Sequence, residues 1–172
     1  MFTTIPINYV YMDKSIQEKF KTAENIAKWG KGTILTQIAQ TYGKVNLDYY
    51  AEAAELDAVA RGFKQHQGEH FDLLSSWQDL PKYVESRPIF KPSPIAAIPI
   101  PDSSMPRVSF SRFHCSKRNA AVLKMALIVD NTNIQILMSQ LFVWYYARYW
   151  DLYKPQLEAV EQRCIKPDLS AE

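Results

Sequence analysis

Glycine is scarce in this sequence and confined to its first part. The five glycines among 172 residues stand at positions 30, 32, 43, 62 and 68, and none follows. A Gly-rich phosphate cradle is therefore excluded beyond position 68, and neither GxGxxG nor GxxxxGKS/T occurs before it. The familiar nucleotide-binding enzymes are excluded with those loops.

Cysteine is nearly absent. Cys115 and Cys164 are the two present, without CxxC spacing, which is too few for a disulfide scaffold. A reducing, cytoplasmic setting is the expectation, with pairing of the two left to the fold. The start, MFTTIPINYVYMDKS, has no basic opening and no continuous apolar run, so the sequence as given carries no secretory signal.

Long apolar runs are missing too. From Met125 to Ala147 the single charge is Asp130, but Asn131, Thr132, Asn133, Gln135, Ser139 and Gln140 interrupt the stretch. An Asp near a bilayer centre costs about 2.5–3.5 kcal/mol, and the apolar part falls short of the ~20 residues that span a membrane. No spanning helix is expected.

Acidic residues are missing from the middle of the chain. Residues 87–128 hold seven Lys/Arg against the single Asp102, whereas 1–86 hold nine against eleven acidic residues and 129–172 hold four against six. A basic centre between acidic ends points to an anionic partner, or to an arm docked on an acidic surface.

What remains is ordinary globular material, 47% apolar and 22% charged, enough for one domain with a core. The β-branched and aromatic TTIPINYVYM reads as a short strand or extended arm. SIQE is a capping box, Ser15 capping a helix whose Glu18 reaches back, with Gly30 and Gly32 ending that helix at Trp29. A second helix runs from a Thr33 cap to Tyr42 before Gly43. A third runs from about Leu47 to Arg61, with Tyr49, Ala53, Leu56 and Ala60 inward and Asp48, Glu52, Glu55 and Asp57 on an acidic outer face. Six prolines between Pro88 and Pro106 forbid a continuous helix, and Ile89, Phe90, Ile95, Ile98 and Ile100 make that segment a packing strap. RVSFSRFHC is a short strand or a continuation of the arm. Ser116 caps a helix through KRNAAVLKMALIV, Asn133 opens the next, and Pro155 starts a last one, stopped by Lys166 and Pro167. The expectation is a mainly α fold of five to seven helices with a proline-rich strap and one short strand or hairpin. Its units are an N-terminal helical layer (1–86), the strap (87–106), and a basic segment with a C-terminal helical unit (107–172).

Three groups of residues bear on function. In RVSFSRFHCSKRNAAVLK the cations Arg107, Arg112, Lys117, Arg118 and Lys124 interleave with Phe110 and Phe113, the combination that meets phosphates and unpaired bases. In LFVWYYARYW six aromatics fall in ten positions, and Trp144, Tyr146, Tyr149, Trp150 and Tyr153 exceed what so small a domain can cover, which suggests a protein interface or self-association. HQGEH at 66–70 matches H-x-x-E-H, where two histidines hold zinc beside a glutamate base. Gly68 weakens such a helix and no further ligand is identifiable, so a hydrolase at His66, Glu69 and His70 is the remote alternative. His114 beside Cys115 has no third group to orient it as a base. The reading is a non-enzymatic interaction or accessory subunit of a protein or nucleoprotein assembly, with nucleic-acid binding through 107–124 as the alternative. No catalytic residue, metal, cofactor or small-molecule substrate is expected.

Overall fold

The computed structural model describes residues 2–28, 30–61 and 86–170. It is mainly α, with five helices and four short strands among those residues. In chain order these are β1 (Phe2–Pro6), β2 (Tyr9–Tyr11), α1 (Lys14–Ala27), α2 (Lys31–Val45), α3 (Leu47–Ala60), β3 (Arg107–Ser109), β4 (Arg112–Ser116), α4 (Lys117–Asp130) and α5 (Ile134–Ser170). The HQGEH stretch lies outside the described residues.

The N-terminal segment and the basic segment form one antiparallel ribbon. Phe2 stands opposite Ser116 and Pro6 opposite Arg112; with no residue gained or lost, Tyr9 stands opposite Ser109 and Tyr11 opposite Arg107. Between the two ladders, Phe110 N–H donates to the Asn8 carbonyl at 3.0 Å. Strand side chains alternate between faces, and on this ribbon the alternation changes phase at the junction. Ile5 and Ile7 point inward on β1 and just after it, but Val10 and Met12 do so around β2. On the other strand Phe113 and Cys115 are buried, while Val108 is the residue of β3 packed on the core. The ribbon therefore rolls over near Asn8 and Phe110, and both halves keep one face on the core and one in solvent.

Several helix boundaries differ from those expected. Asp13, not Ser15, caps α1, its Oδ1 accepting from Ile16 N–H at 2.8 Å. The helix ends at Ala27 because Lys28 turns left-handed, at φ 60. Gly30, not Thr33, begins α2, and Gly43 lies inside that helix. A Cβ at Gly43 would meet Asn119 Oδ1 at 3.1 Å and Val122 Cγ1 at 3.5 Å, so this glycine marks the close approach of α2 and α4. On α3 the buried residues are Tyr50, Ala53, Ala54, Asp57 and Ala58, while Leu56 is exposed. Asp57 thus leaves the acidic face and pairs with Arg61 at 2.8 Å. The Ser116 and Asn133 caps are as expected, accepting from Asn119 and Ile136 N–H.

Pro155 does not open a new helix: α5 runs unbroken for 37 residues, about 55 Å at 1.5 Å per residue. Proline in a helix interior removes one backbone hydrogen bond. Packing on α1 offsets that loss, since Trp150 and the buried Leu157 lie on either side of the proline and line one hollow with Ser15, Lys19 and Thr22. The helix buried on every side is α4, where Ala120 to Ile128 are all buried. The polar residues of α5 serve neighbouring backbone. Ser139 Oγ accepts from Tyr11 N–H at 2.9 Å, and Gln140 donates to the Ile98 carbonyl at 2.9 Å. Among the described residues no single helix is long and apolar enough to cross a membrane; α4 with α5 reaches that composition as a pair bent by 101°.

Residues 86–106 contain neither helix nor strand and lie against α3, α4 and α5. Ile95 is fully buried. Arg87 donates to the last carbonyls of α4, at Ile128 and Val129, satisfying groups that a helix end leaves open. Ser93 Oγ donates to the Asp130 carboxylate at 2.9 Å, and Tyr49 donates to the Lys91 carbonyl.

Candidate nucleic-acid interface

The solvent face of the ribbon gathers most of the basic residues singled out from sequence. Arg107, Arg112, Lys117 and Arg118 are exposed, the first two on β3 and β4 and the others in the first turn of α4. No Asp or Glu occurs in residues 2–12 or 103–118, so the two strands and the α4 start carry charge of one sign. Coulomb repulsion between these cations is relieved by solvent or by an anion, and not from within the ribbon.

Two of the candidates are not on this surface. Lys124 is 0% exposed within α4, and Phe113 is 1% exposed beneath the ribbon. The reason for Phe113 is strand alternation, which turns Arg112 and His114 outward and Phe113 and Cys115 inward. Lys124 falls on a helix that has protein on all sides, so its position on any stripe leads inward. Phe110 is half-buried at the roll, packed edge-on to Phe20 at 5.8 Å with Lys31 Nζ 5.9 Å from its ring centre.

Residues that sequence reading left out fill the same face. Tyr9 and Tyr11 are two apart on β2 and therefore share a side; their rings meet edge to face at 5.2 Å. The Arg107 guanidinium, on the opposite strand, lies 4.4 Å from the Tyr9 ring centre and 5.2 Å from that of Tyr11. A side-chain hydrogen bond with Tyr11 holds the Tyr9 hydroxyl above its ordinary value, so the ring stays neutral. Phe2, at the other end, is 74% exposed. The alternation in TTIPINYVYM carried the strand signal, but its pairing with residues 107–116 has no local signature.

The amino end of α2 abuts the edge of β4. Thr36 Oγ1 donates to the His114 carbonyl at 2.6 Å, and the His114 ring pairs across the ribbon with Thr4 Oγ1 at 3.0 Å. Between the two elements is an open hollow of about 400 Å³ lined by Gly30, Gly32, Thr33, Ser111 and Arg112, among others. Thr33 and Ile34 N–H donate to the Gly30 carbonyl at 3.0 and 3.2 Å, so it is the lining cation, Arg112, that suits this space to an anion.

Cys115 is buried and desolvation pushes its thiol up to about 12, so it is not an activated nucleophile, and His114 points to the opposite face. Among the described residues no three His, Cys, Asp or Glu side chains are placed to hold a metal.

The aromatic stretch of α5 is covered largely by its own chain. Trp144 and Tyr146 are buried, Trp144 against Tyr42 at 5.0 Å and Tyr146 against Phe142 and Trp150, which removes both from a surface interface. Tyr149, Trp150 and Tyr153 are half-buried, with Lys19 of α1 reaching over the Trp150 ring. Ring-on-ring contacts among these residues give the small domain the coverage that composition alone left unaccounted for. No family model, curated protein or solved structure matches the chain.

Proposed function

We propose that this chain is a non-enzymatic accessory subunit of a nucleoprotein assembly, and that the β1–β4 ribbon with the start of α4 is its nucleic-acid contact. One observation carries the reading: four exposed cations, Arg107, Arg112, Lys117 and Arg118, stand on strands and a helix start that contain no Asp or Glu, together with exposed or half-exposed aromatic rings. Phosphates take the cations and the helix-start amides, which positions a strand without reading its sequence. The test is retention on a phosphate matrix and binding of a labelled oligonucleotide by the Arg112→Ala, Lys117→Ala, Arg118→Ala triple variant. These side chains are exposed, so the fold is expected to survive. A marked loss of both retention and binding supports the reading, and unchanged behaviour removes it.

A protein contact through the proline-rich strap is a second reading, favoured by a separate observation. Ile95 anchors the strap, while Ile89 and Ile100 are 95% and 68% exposed. Apolar side chains held outward on an anchored segment suit a partner protein. Ile89→Asp with Ile100→Asp is expected to abolish co-purification of that partner while leaving oligonucleotide binding intact; unchanged co-purification would count against the strap.

A further inference from the structure

Resting on the ribbon reading, we infer that the partner is an unpaired strand, and that Tyr9, Tyr11 and Arg107 form a platform on which a base stacks. Two features of the cluster lead there. The rings are not core aromatics that happen to reach the surface, because Val10 between them is fully buried and the strand turns both tyrosines the other way. Arg107 is exposed and its guanidinium lies 4.4 Å from the Tyr9 ring centre, so an aromatic ring backs a cation that solvent still reaches. A planar cation held against a ring in this way stacks on a nucleobase, which is accessible only when the base is unpaired.

Arg107 is the cation set beside Tyr9 and Tyr11, its guanidinium 4.4 Å and 5.2 Å from their ring centres. The remaining cations of the face, Arg112, Lys117 and Arg118, lie toward the opposite end of the ribbon. Phe2 to Tyr11 spans on the order of 30 Å at ~3.3 Å per strand residue. A strand laid along it puts a base at one end and several phosphates at the other, within the usual occupancy of a few nucleotides or more. A duplex buries its base faces and leaves the platform unused.

The experiment compares a labelled 12-nucleotide uridine strand, a duplex of equal length and inorganic polyphosphate on the full chain, by fluorescence anisotropy with polyphosphate as competitor. The expected result is tighter binding of the single strand than of either other polyanion. Tyr9→Ala with Tyr11→Ala weakens the single strand roughly tenfold or more and leaves its salt dependence unchanged, since no charge is lost. Tyr9→Phe with Tyr11→Phe restores binding. Arg107→Lys, an exposed site that keeps its charge, loses the single-strand preference while polyphosphate competes as before. Equal binding of all three polyanions, indifferent to these variants, overturns the inference and leaves a ribbon that holds phosphates only. Failure to bind any of them removes the proposed function itself.

Discussion

The hydroxyls of Tyr42 and Tyr50 meet 2.5 Å apart in the core, each the other's hydrogen-bond partner, at the join of α2 and α3. Both rings are fully buried, and desolvation holds both hydroxyls well above their ordinary value of 10.0. Removing one oxygen leaves its partner buried and unsatisfied, at a cost of about 1–3 kcal/mol. Tyr42→Phe and Tyr50→Phe are each expected to destabilise by that amount, and the double variant by less than their sum. Urea unfolding of the four species checks the cycle; strict additivity would contradict it. Because the folded values are raised, the stability these groups contribute is fully present below pH 10 and is lost as pH rises through the folded values, so alkaline unfolding is expected above pH 10.

The end of α4 holds a carboxylate under tension. Burial raises the Asp130 carboxyl above 3.8, against the opposing pull of Ser93 and Arg87. Its favourable contribution is therefore present below pH 3.8, in the protonated form, and is lost as pH rises through the folded value. Asn at this position keeps an oxygen for the Ser93 hydroxyl and removes the charge. Asp130→Asn is expected to melt at or above the wild-type temperature at pH 7, with the difference shrinking toward pH 3. Thermal melts across that range decide it, and a variant clearly less stable at pH 7 is the contrary result.

Gly43 tests the contact between α2 and α4. Alanine meets Asn119 Oδ1 at 3.1 Å, the movable end of a side chain, and gains up to about 1 kcal/mol of helix propensity. Gly43→Ala is expected to lie within about 1 kcal/mol of wild type. Gly43→Leu has to displace Val122 of the buried α4 and is expected to cost about 1–3 kcal/mol. Equal stability of the two variants in chemical denaturation would show that the helices are not in close approach there.

How much of this was legible in the sequence depended on the range of the interactions. Local rules identified Ser116 and Asn133 as caps, because a cap is a bond between residues three apart. The same rules chose Ser15 over Asp13, two plausible caps side by side, and took Pro155 as a start although packing on both sides of it carries α5 through. The mainly α character followed from periodicity. The ribbon did not, since Phe2 and Ser116 are distant in sequence and pairing between them leaves no local trace. Of the basic segment, Arg107, Arg112, Lys117 and Arg118 were correctly assigned to the surface. Lys124 was not, because a lysine in a helix reads as solvated until the helix is known to be enclosed. Phe113 failed for a related reason: alternation tells Arg112 from Phe113, but which parity faces the core changes at the roll near Phe110.

The most direct measurement is the salt dependence of oligonucleotide binding. On single strands the slope of log affinity against log salt is about −0.7 per phosphate neutralised. Removing Arg112, Lys117 and Arg118 together is expected to make that slope shallower by about 2, with thermal stability unchanged. A wild-type slope near zero, or a slope identical in the triple variant, would contradict a phosphate-binding ribbon.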